Sequence, residues 1–208
     1  MADPKIHLYE RDLPAGFDLP GALAIDTEAM GLIHGRDRLC LVQLSNGDGE
    51  AHLVKIANGQ TEAPQLKALI EGKEAAALMH FARFDLAALQ SGLGIEVPKV
   101  ICTKVASKLA RSYTDRHGLK DLCNELLGID ISKQQQSSDW GAETLSPAQL
   151  AYAASDVLYL HAIEAKLSAM LVREGRLDMA EAHYAFLPMR ADMDLRGWAE
   201  RDLFSHGG

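Results

Sequence analysis

Two acidic residues separated by a single position follow a short apolar run and are the side chains of this sequence best suited to chemistry. They are Asp26 and Glu28, directly after Leu23-Ala24-Ile25. If the run is a β-strand, both acids point to the same side of it, because successive side chains alternate between faces. Neighbouring carboxylates repel each other unless one is protonated or a cation lies between them, and hard divalent cations prefer oxygen ligands. A lone pair of this kind is more often simply solvated, so the rest of the chain decides the interpretation.

Two further acidic elements occur in suitable contexts. Asp85 follows a predicted strand and lies in the first turns of a predicted helix. Tyr152 and Asp156 are four positions apart on another predicted helix, so the phenol and the carboxylate share one face. Four carboxylates from a strand end and two helices suit two divalent cations, an arrangement that promotes in-line displacement at phosphorus. Tyr152 beside the attacking water would orient or deprotonate it, and with a pKa of about 10 a free phenol needs a nearby metal to do the latter.

The elements that must position these residues are a set of strands that form a meander and then alternate with helices. Apolar periodicity and turn signals predict strands at 5–9 (an edge strand), 23–28, 38–44, 51–54, 75–80 and 100–102. Helices are predicted at 64–71, 82–90 (ended by Gly92 and Gly94), 103–110, 118–127, 147–174 and 177–186. This order indicates an α/β fold with a mixed sheet.

The last helices carry clear boundary signals. Ser146, Pro147 and Gln149 form the N-cap, first position and capping-box partner of the helix that bears Tyr152. The final helix is predicted to end before Pro188. We therefore expect one domain over residues 1–186 and a tail over residues 187–208. Trp198 and Phe204 are apolar anchors in that tail, which indicates docking on the domain or on a neighbouring subunit.

Composition narrows the class of protein. The 208 residues carry a net charge of -8, which argues against a broad basic face that clamps long nucleic acid. Cys40, Cys102 and Cys123 are well separated and odd in number, so we expect reduced thiols. The first residues lack the pattern of a secretory signal, and no run of about 18 apolar residues predicts a membrane span. The expected location is the cytoplasm.

The motifs together resemble a known family. Asp26-Thr27-Glu28, then His80 with Asp85, then Tyr152-x-x-x-Asp156 is similar to the DEDD-type 3′–5′ exonucleases of the ribonuclease D family. The tyrosine four residues before the last aspartate marks the tyrosine subgroup. Residues 39–44, 118–122 and 133–140 extend the resemblance, which covers approximately residues 20–170. It implies a ribonuclease H-like mixed β-sheet flanked by helices.

The resemblance also implies an activity and its residues. A member of this family hydrolyses phosphodiester bonds and releases nucleoside 5′-monophosphates from a 3′ end, with two Mg²⁺ or Mn²⁺ ions. By this resemblance, Asp26, Glu28, Asp85 and Asp156 hold the metals, and Tyr152 positions the attacking water. Substrate contacts are expected from Thr27, His80, Lys133, Gln136, Ser137 and Ser138.

Within the family, the chain resembles the small nano-RNase C type, which degrades dinucleotides and very short RNA and forms closed rings of eight subunits. After residue 170 there is room for a helix and a tail, but not for the helical RNA-binding domains of full-length ribonuclease D. The alternatives are processing of longer RNA 3′ ends, a DNA exonuclease, and a catalytically silent nucleic-acid-binding scaffold. The complete set of four acids and Tyr152 favours an enzyme.

Several residues near the motifs allow two readings. His80 either forms a local hydrogen bond or contacts substrate, and residues 133–138 either reach the substrate or close a loop. Leu32 and Ile33 either wedge against a terminal base or pack the loop. Trp140 is interpreted as a packing anchor. A solvated helix face is favoured over a phosphate-attracting strip for the basic residues Lys104, Lys108, Arg111 and Arg116.

Overall fold

A mixed sheet forms the centre of the computed structural model, which describes residues 4–132 and 134–206. In these residues six strands lie in the order β1-β4-β3-β2-β5-β6. Their bounds are β1 Lys5–Glu10, β2 Ala24–Ala29, β3 Leu39–Ser45, β4 Glu50–Lys55, β5 Ala77–Met79 and β6 Val100–Cys102. β2, β3 and β4 form the predicted antiparallel meander, and β1, β5 and β6 join it in parallel. The predicted α/β class is confirmed.

Helices cover both faces of this sheet. They are α1 Pro64–Glu71, α2 Ala82–Leu93, α3 Thr103–Ala110, α4 Leu119–Leu122, α5 Pro147–Leu158, α6 Leu160–Arg173 and α7 Leu177–Met193. α4 continues as a π-helical turn, Cys123–Leu127. Apolar residues of α1, α2 and α7 pack on one face of the sheet, and those of α5 pack on the other. α3 and α6 form a third cluster beyond the sheet.

The strand that carries the first two acids lies in the middle of the sheet. β2 pairs with the completely buried strand β3 on one side and with β5 on the other. Asp26 is opposite Gln43 in this pairing, and the register shifts between Glu28 and Ala29. The pairing with β3 runs along the acidic stretch, whereas β5 pairs with β2 at Ala24, just before it, so the backbone of the acids is fixed mainly by β3.

One predicted helix is two helices in the structure. The helix predicted over 147–174 breaks at Tyr159, whose φ and ψ are -104° and -5°. Ala153 and Val157 before the break pack on the sheet, whereas Ile163 and Leu167 after it pack against the α3 cluster. The apolar faces of α5 and α6 thus meet different neighbours, and a single straight helix would not bury both.

Two helix ends were predicted too early. α7 runs through Pro188 to Met193, because Leu187 and Ala191 are buried on either side of the proline and hold the helix in place. α2 runs through Gly92 and ends at Gly94. A Cβ atom at Gly92 would lie 3.0 Å from the Cβ atom of Leu39, so this glycine lets α2 approach β3 closely.

The segment after α7 returns to the domain. Arg83 on α2 forms a two-pronged ion pair with Asp194 and donates a hydrogen bond of 2.8 Å to the carbonyl oxygen of Ala199. Arg190 binds the same carbonyl oxygen. Across the part of the chain that the structure describes, no helix is both long and apolar enough to cross a bilayer.

Candidate active site

An open cleft of about 630 Å³ lies where β2, α2 and α5 meet. It is lined by the predicted site residues that the structure describes, which are Asp26, Thr27, Glu28, His80, Asp85, Gln136, Ser137, Ser138, Tyr152 and Asp156. Lys133 lies outside the described residues. The fold therefore brings to one place residues that are up to 130 positions apart in the sequence.

Asp26 and Glu28 reach the cleft from the same face of β2. The amide of Gln43, its partner across the strand pair, donates a hydrogen bond of 3.4 Å to Oδ2 of Asp26. Gln43 is fully buried, so its side chain is held in place by the strands around it. β2 thus presents both carboxylates from a fixed backbone.

Asp156 and Tyr152 come from α5, whose start is set by the predicted capping box. Ser146 Oγ accepts the backbone N–H of Gln149, and the Gln149 side chain accepts the backbone N–H of Ser146. The helix then presents Tyr152 and Asp156 one turn apart. The buried ring of Trp140 packs against Tyr152 at 5.9 Å between centroids, which confirms Trp140 as a packing anchor.

Asp85 comes from the first turn of α2 and is only 3% exposed. The residue before this helix, Phe81, has a left-handed backbone with φ of 67°. This conformation is uncommon outside glycine and turns the chain sharply from β5 into α2. The hydroxyl of Thr27 then donates a hydrogen bond of 2.7 Å to Oδ1 of Asp85.

Three of the four carboxylates converge closely. One oxygen each of Asp26, Glu28 and Asp156 lies within 4.8 Å of the other two. Asp85 is outside this trio but close to it. Its charge helps to raise the pKa of Glu28, and the charge of Asp26 helps to raise the pKa of Asp85. The predicted set of four is thus divided into a tight trio and one neighbouring acid.

The electrostatics of the cleft favour a cation. Burial raises the pKa of Asp26 to about 7. Burial, followed by the charges of Asp26, Asp156 and Asp85, raises the pKa of Glu28 to about 10. Burial and then the Asp26 charge also raise the pKa of Asp85 and of Asp156. Because these crowded carboxylates repel one another when they are ionised, a divalent cation with a preference for oxygen ligands fits the donor set.

Tyr152 is a neutral phenol in this environment. Burial is the largest cause that raises its pKa well above the usual value, followed by the charges of Asp156, Glu28 and Asp26. A bound cation would offset the negative charges, but it would not reverse the burial. Tyr152 is therefore suited to orient a water molecule by hydrogen bonding.

The other predicted residues have local partners as well. Nδ1 of His80 lies 2.9 Å from Oγ1 of Thr103, which in turn donates to the carbonyl oxygen of Met79. Oγ of Ser138 accepts a hydrogen bond of 3.1 Å from the Gln149 side chain, which ties the 134–138 loop to the start of α5. Gln136 and Ser137 are exposed in the cleft. Their roles toward substrate stay predictions.

Phe81 is a residue of the cleft that the sequence did not predict, and two basic residues differ from the interpretation that the sequence favoured. Phe81 is 46% exposed, and the ammonium group of Lys104 lies 4.5 Å from the centre of its ring. Lys104 lines the cleft, so a purely solvated helix face is wrong for it. The same reading is wrong for Arg111, which is fully buried and forms an ion pair with Glu125. Neither a backbone with positive φ nor a buried arginine leaves a local sequence signal.

Comparison with known proteins identifies the family. A family model described as a 3′–5′ exonuclease matches residues 12–172. Ribonuclease D from Gluconacetobacter diazotrophicus is 36% identical over 165 residues, which are 79% of this chain and 42% of that protein. The chain thus spans less than half the length of this relative.

Solved structures agree with the sequence match. NrnC from Brucella melitensis is 54% identical with a TM-score of 0.93, over 98% of this chain and 99% of that chain. It has also been solved with bound Mg²⁺ and bound to pGG. Escherichia coli RNase D is 28% identical with a TM-score of 0.72, over 82% of this chain and 44% of that chain. The chain therefore belongs to the 3′–5′ exonuclease family, whose members use divalent metals, and is a homologue of ribonuclease D and NrnC.

Proposed function

We propose that the protein is a 3′–5′ exoribonuclease that hydrolyses dinucleotides and very short RNA and releases nucleoside 5′-monophosphates. The observation that carries this proposal is the carboxylate trio of Asp26, Glu28 and Asp156 with the neutral phenol of Tyr152 beside it, at the base of an open cleft. These are the groups that metal-assisted hydrolysis of a phosphodiester needs.

Two features support a short substrate. The cleft volume of about 630 Å³ lies in the range of sites that enclose small ligands. NrnC, with 52% identity to this chain in that structure, has been solved bound to pGG. A dinucleotide fills a cleft of this size, whereas a longer RNA would need contacts beyond it.

We infer that two Mg²⁺ or Mn²⁺ ions act in this cleft. The division of the four acids supports two ions, because the trio and Asp85 offer separate oxygen donors. Bound divalent cations supply Lewis acidity, which lowers the pKa of a water ligand and stabilises the charge that develops on the phosphate. Asp26, Glu28, Asp85 and Asp156 would hold them.

The chain's own residues then orient the reactants. Tyr152 donates a hydrogen bond to the attacking water, and the buried Trp140 keeps its ring in place. His80, Gln136, Ser137 and Ser138 line the cleft around the expected position of the terminal nucleotide. Thr27 acts on the reaction chiefly by positioning Asp85, because its hydroxyl donates a hydrogen bond to that carboxylate. Lys133 stays a predicted substrate contact.

A time course with 5′-labelled RNA tests the proposal. The purified protein is incubated with an RNA dinucleotide, a longer single-stranded RNA and the matching DNA dinucleotide, each with Mg²⁺, Mn²⁺ or EDTA. We expect fast metal-dependent loss of the RNA dinucleotide and slow trimming of the longer RNA. Strong trimming of the longer RNA would indicate a processing enzyme, faster loss of the DNA would indicate a DNA exonuclease, and inactivity with every metal would indicate a scaffold.

We also infer a cytoplasmic homo-oligomer, in keeping with an eight-subunit ring. The three cysteines are free and buried, as expected of thiols in a reducing compartment. Leu203 and Phe204 in the 187–208 tail are exposed, and large apolar side chains in that position are suited to docking on a neighbouring subunit. Light scattering on the purified protein gives the mass directly, and a monomer at working concentrations would refute this inference.

A further inference from the structure

A second cluster of metal-ligating side chains lies at the edge of the sheet, away from the catalytic acids. His7 on the edge strand β1 is directly opposite His52 on β4, and Glu50 is two positions before His52. One ligand atom from each of the three lies within 4.8 Å of the other two. β3 separates β4 from β2, so at about 4.8 Å per strand the nearest part of the cluster is roughly 10 Å from the strand that carries Asp26 and Glu28.

Neighbouring side chains fix the geometry of this cluster. Nε2 of His7 lies 2.6 Å from Oε2 of Glu50, and the Tyr9 hydroxyl lies 3.1 Å from Nδ1 of His52. The two imidazole rings are stacked, with centroids 4.7 Å apart and planes within 9°. The ring of Phe17 packs edge-on against His52 at 5.0 Å. Contacts from outside the ligand set, such as those of Tyr9 and Phe17, hold a metal-binding histidine in a fixed orientation.

The donor set matches a different metal from that of the catalytic cleft. Two imidazoles and one carboxylate are a ligand set that binds Zn²⁺, with a fourth position left for water. The catalytic trio offers only oxygen atoms, which suit Mg²⁺ and Mn²⁺.

An ordinary surface ion pair explains only part of the cluster. Lys5 binds Oε1 of Glu50 at 2.8 Å, but its side chain is 73% exposed, and exposed pairs contribute little to stability. Lys5 leaves the other oxygen, Oε2, directed at His7. The pair also gives no reason for a buried histidine stacked on a second histidine.

We propose that His7, Glu50 and His52 bind one Zn²⁺-class transition-metal ion that fastens the edge strand β1 to β4. Among the described strands, β1 pairs with β4 alone, so within the sheet its position depends on that one pairing. An ion held by ligands from both strands would therefore stabilise this edge of the sheet.

Calorimetric titration of the chelator-treated protein with Zn²⁺ tests the proposal. The background protein carries Asp26→Asn and Asp156→Asn, which remove two of the three carboxylates of the competing trio. We expect one Zn²⁺ per chain, a rise in melting temperature on binding, and a loss of affinity of more than about 100-fold in His7→Gln and in Glu50→Gln. Even outer-shell partners of a metal are worth roughly 10- to 100-fold in affinity.

His183→Gln is the matched control, because His183 is an exposed histidine on α7 and outside the cluster. It should bind Zn²⁺ as the background protein does. The proposal is overturned if the background protein binds no Zn²⁺, or if His7→Gln and Glu50→Gln bind it unchanged. His52→Gln removes a buried side chain and is not needed for the test. If that variant does not fold, His7→Gln and Glu50→Gln decide the outcome, because His7 and Glu50 are less buried.

Discussion

The hydroxyl of Thr27 donates a hydrogen bond of 2.7 Å to Oδ1 of Asp85 and thereby joins the central strand to the start of α2. Thr27 lies between Asp26 and Glu28, so its side chain points to the other face of the sheet. The three-residue stretch thus presents two carboxylates toward α5 and secures a third acid on the side of α2. One strand therefore positions the acids of both helices relative to each other.

Replacing Thr27 by Val should reduce activity without unfolding the protein. The shape of the side chain is kept, but the buried Asp85 loses its hydroxyl donor, and a hydrogen bond to a charged group is worth about 1.5–3 kcal/mol. We expect a roughly tenfold or greater fall in kcat/KM for a dinucleotide and a higher Mg²⁺ requirement. Thr27→Ser keeps the hydroxyl and should remain close to wild type. An unchanged rate and Mg²⁺ dependence in Thr27→Val would show that the bond does not position Asp85 for catalysis.

Asp26→Asn should nearly abolish turnover, with a loss of at least roughly 100-fold, because it removes a charged ligand and keeps the volume of the side chain. It also relieves repulsion in the carboxylate trio. In EDTA at neutral pH we therefore expect a melting temperature equal to or above that of the wild type. Asp156→Asn should behave in the same way. Both are measured by dinucleotide hydrolysis and thermal melts, and a strongly destabilised variant would contradict the argument from repulsion.

Tyr152→Phe should retain metal and substrate binding and lose rate by roughly 100-fold, since misplacement of a reactant by about 1 Å has an effect of that size. The neutral phenol positions water and does not titrate in the working range, because burial raises its pKa. The pH profile of kcat should therefore keep its shape in the variant. Loss of a basic limb from that profile would indicate that the phenol transfers a proton instead.

Local patterns were sufficient to predict most of the elements and the acids. The apolar run of β3, the spacing of Asp26 and Glu28, and the four-residue spacing of Tyr152 and Asp156 each reflect a periodicity within one element. For the same reason the capping box at Ser146 was predictable. The meander and the later alternation with helices predicted the mixed sheet, but not the order of its six strands.

What the sequence could not predict depends on contacts between distant segments. The break at Tyr159 exists because α5 and α6 pack on different neighbours, and Pro188 stays helical because buried residues flank it. The bond between Thr27 and Asp85 joins residues 58 positions apart. Each of these features is decided by tertiary packing, which overrides local propensity.

Metal-free protein should lose stability as the pH rises above neutrality. The folded pKa values of Asp26 and Glu28, about 7 and about 10, lie above their ordinary values, so the folded state keeps protons that the unfolded chain has released. The free energy of unfolding therefore falls as the pH rises from the ordinary carboxylate pKa of about 4 to the folded values of about 7 for Asp26 and about 10 for Glu28. Mg²⁺ should reduce the fall because it replaces the protons.

Thermal melts from pH 7 to 10, in EDTA and in Mg²⁺, measure this fall in stability. Glu28→Gln should make the melting temperature in EDTA depend less on pH. A stability that rises over this range in EDTA would contradict the account.

Arg83→Met should loosen the segment after α7. Arg83 binds the nearly buried Asp194 and the carbonyl oxygen of Ala199, and its loss leaves Asp194 with Arg190 as its remaining partner among the described residues. Because Arg83 is partly exposed, we expect a destabilisation of about 1–2 kcal/mol in urea unfolding, less than for a fully buried pair. The backbone amides of 194–199 should exchange their hydrogens faster.

The control variant Arg196→Met removes an exposed ion pair with Asp192 and should change the free energy of unfolding by less than about 0.5 kcal/mol. In a double-mutant cycle with Asp194→Asn, strictly additive effects would show that the ion pair does not hold this segment on α2.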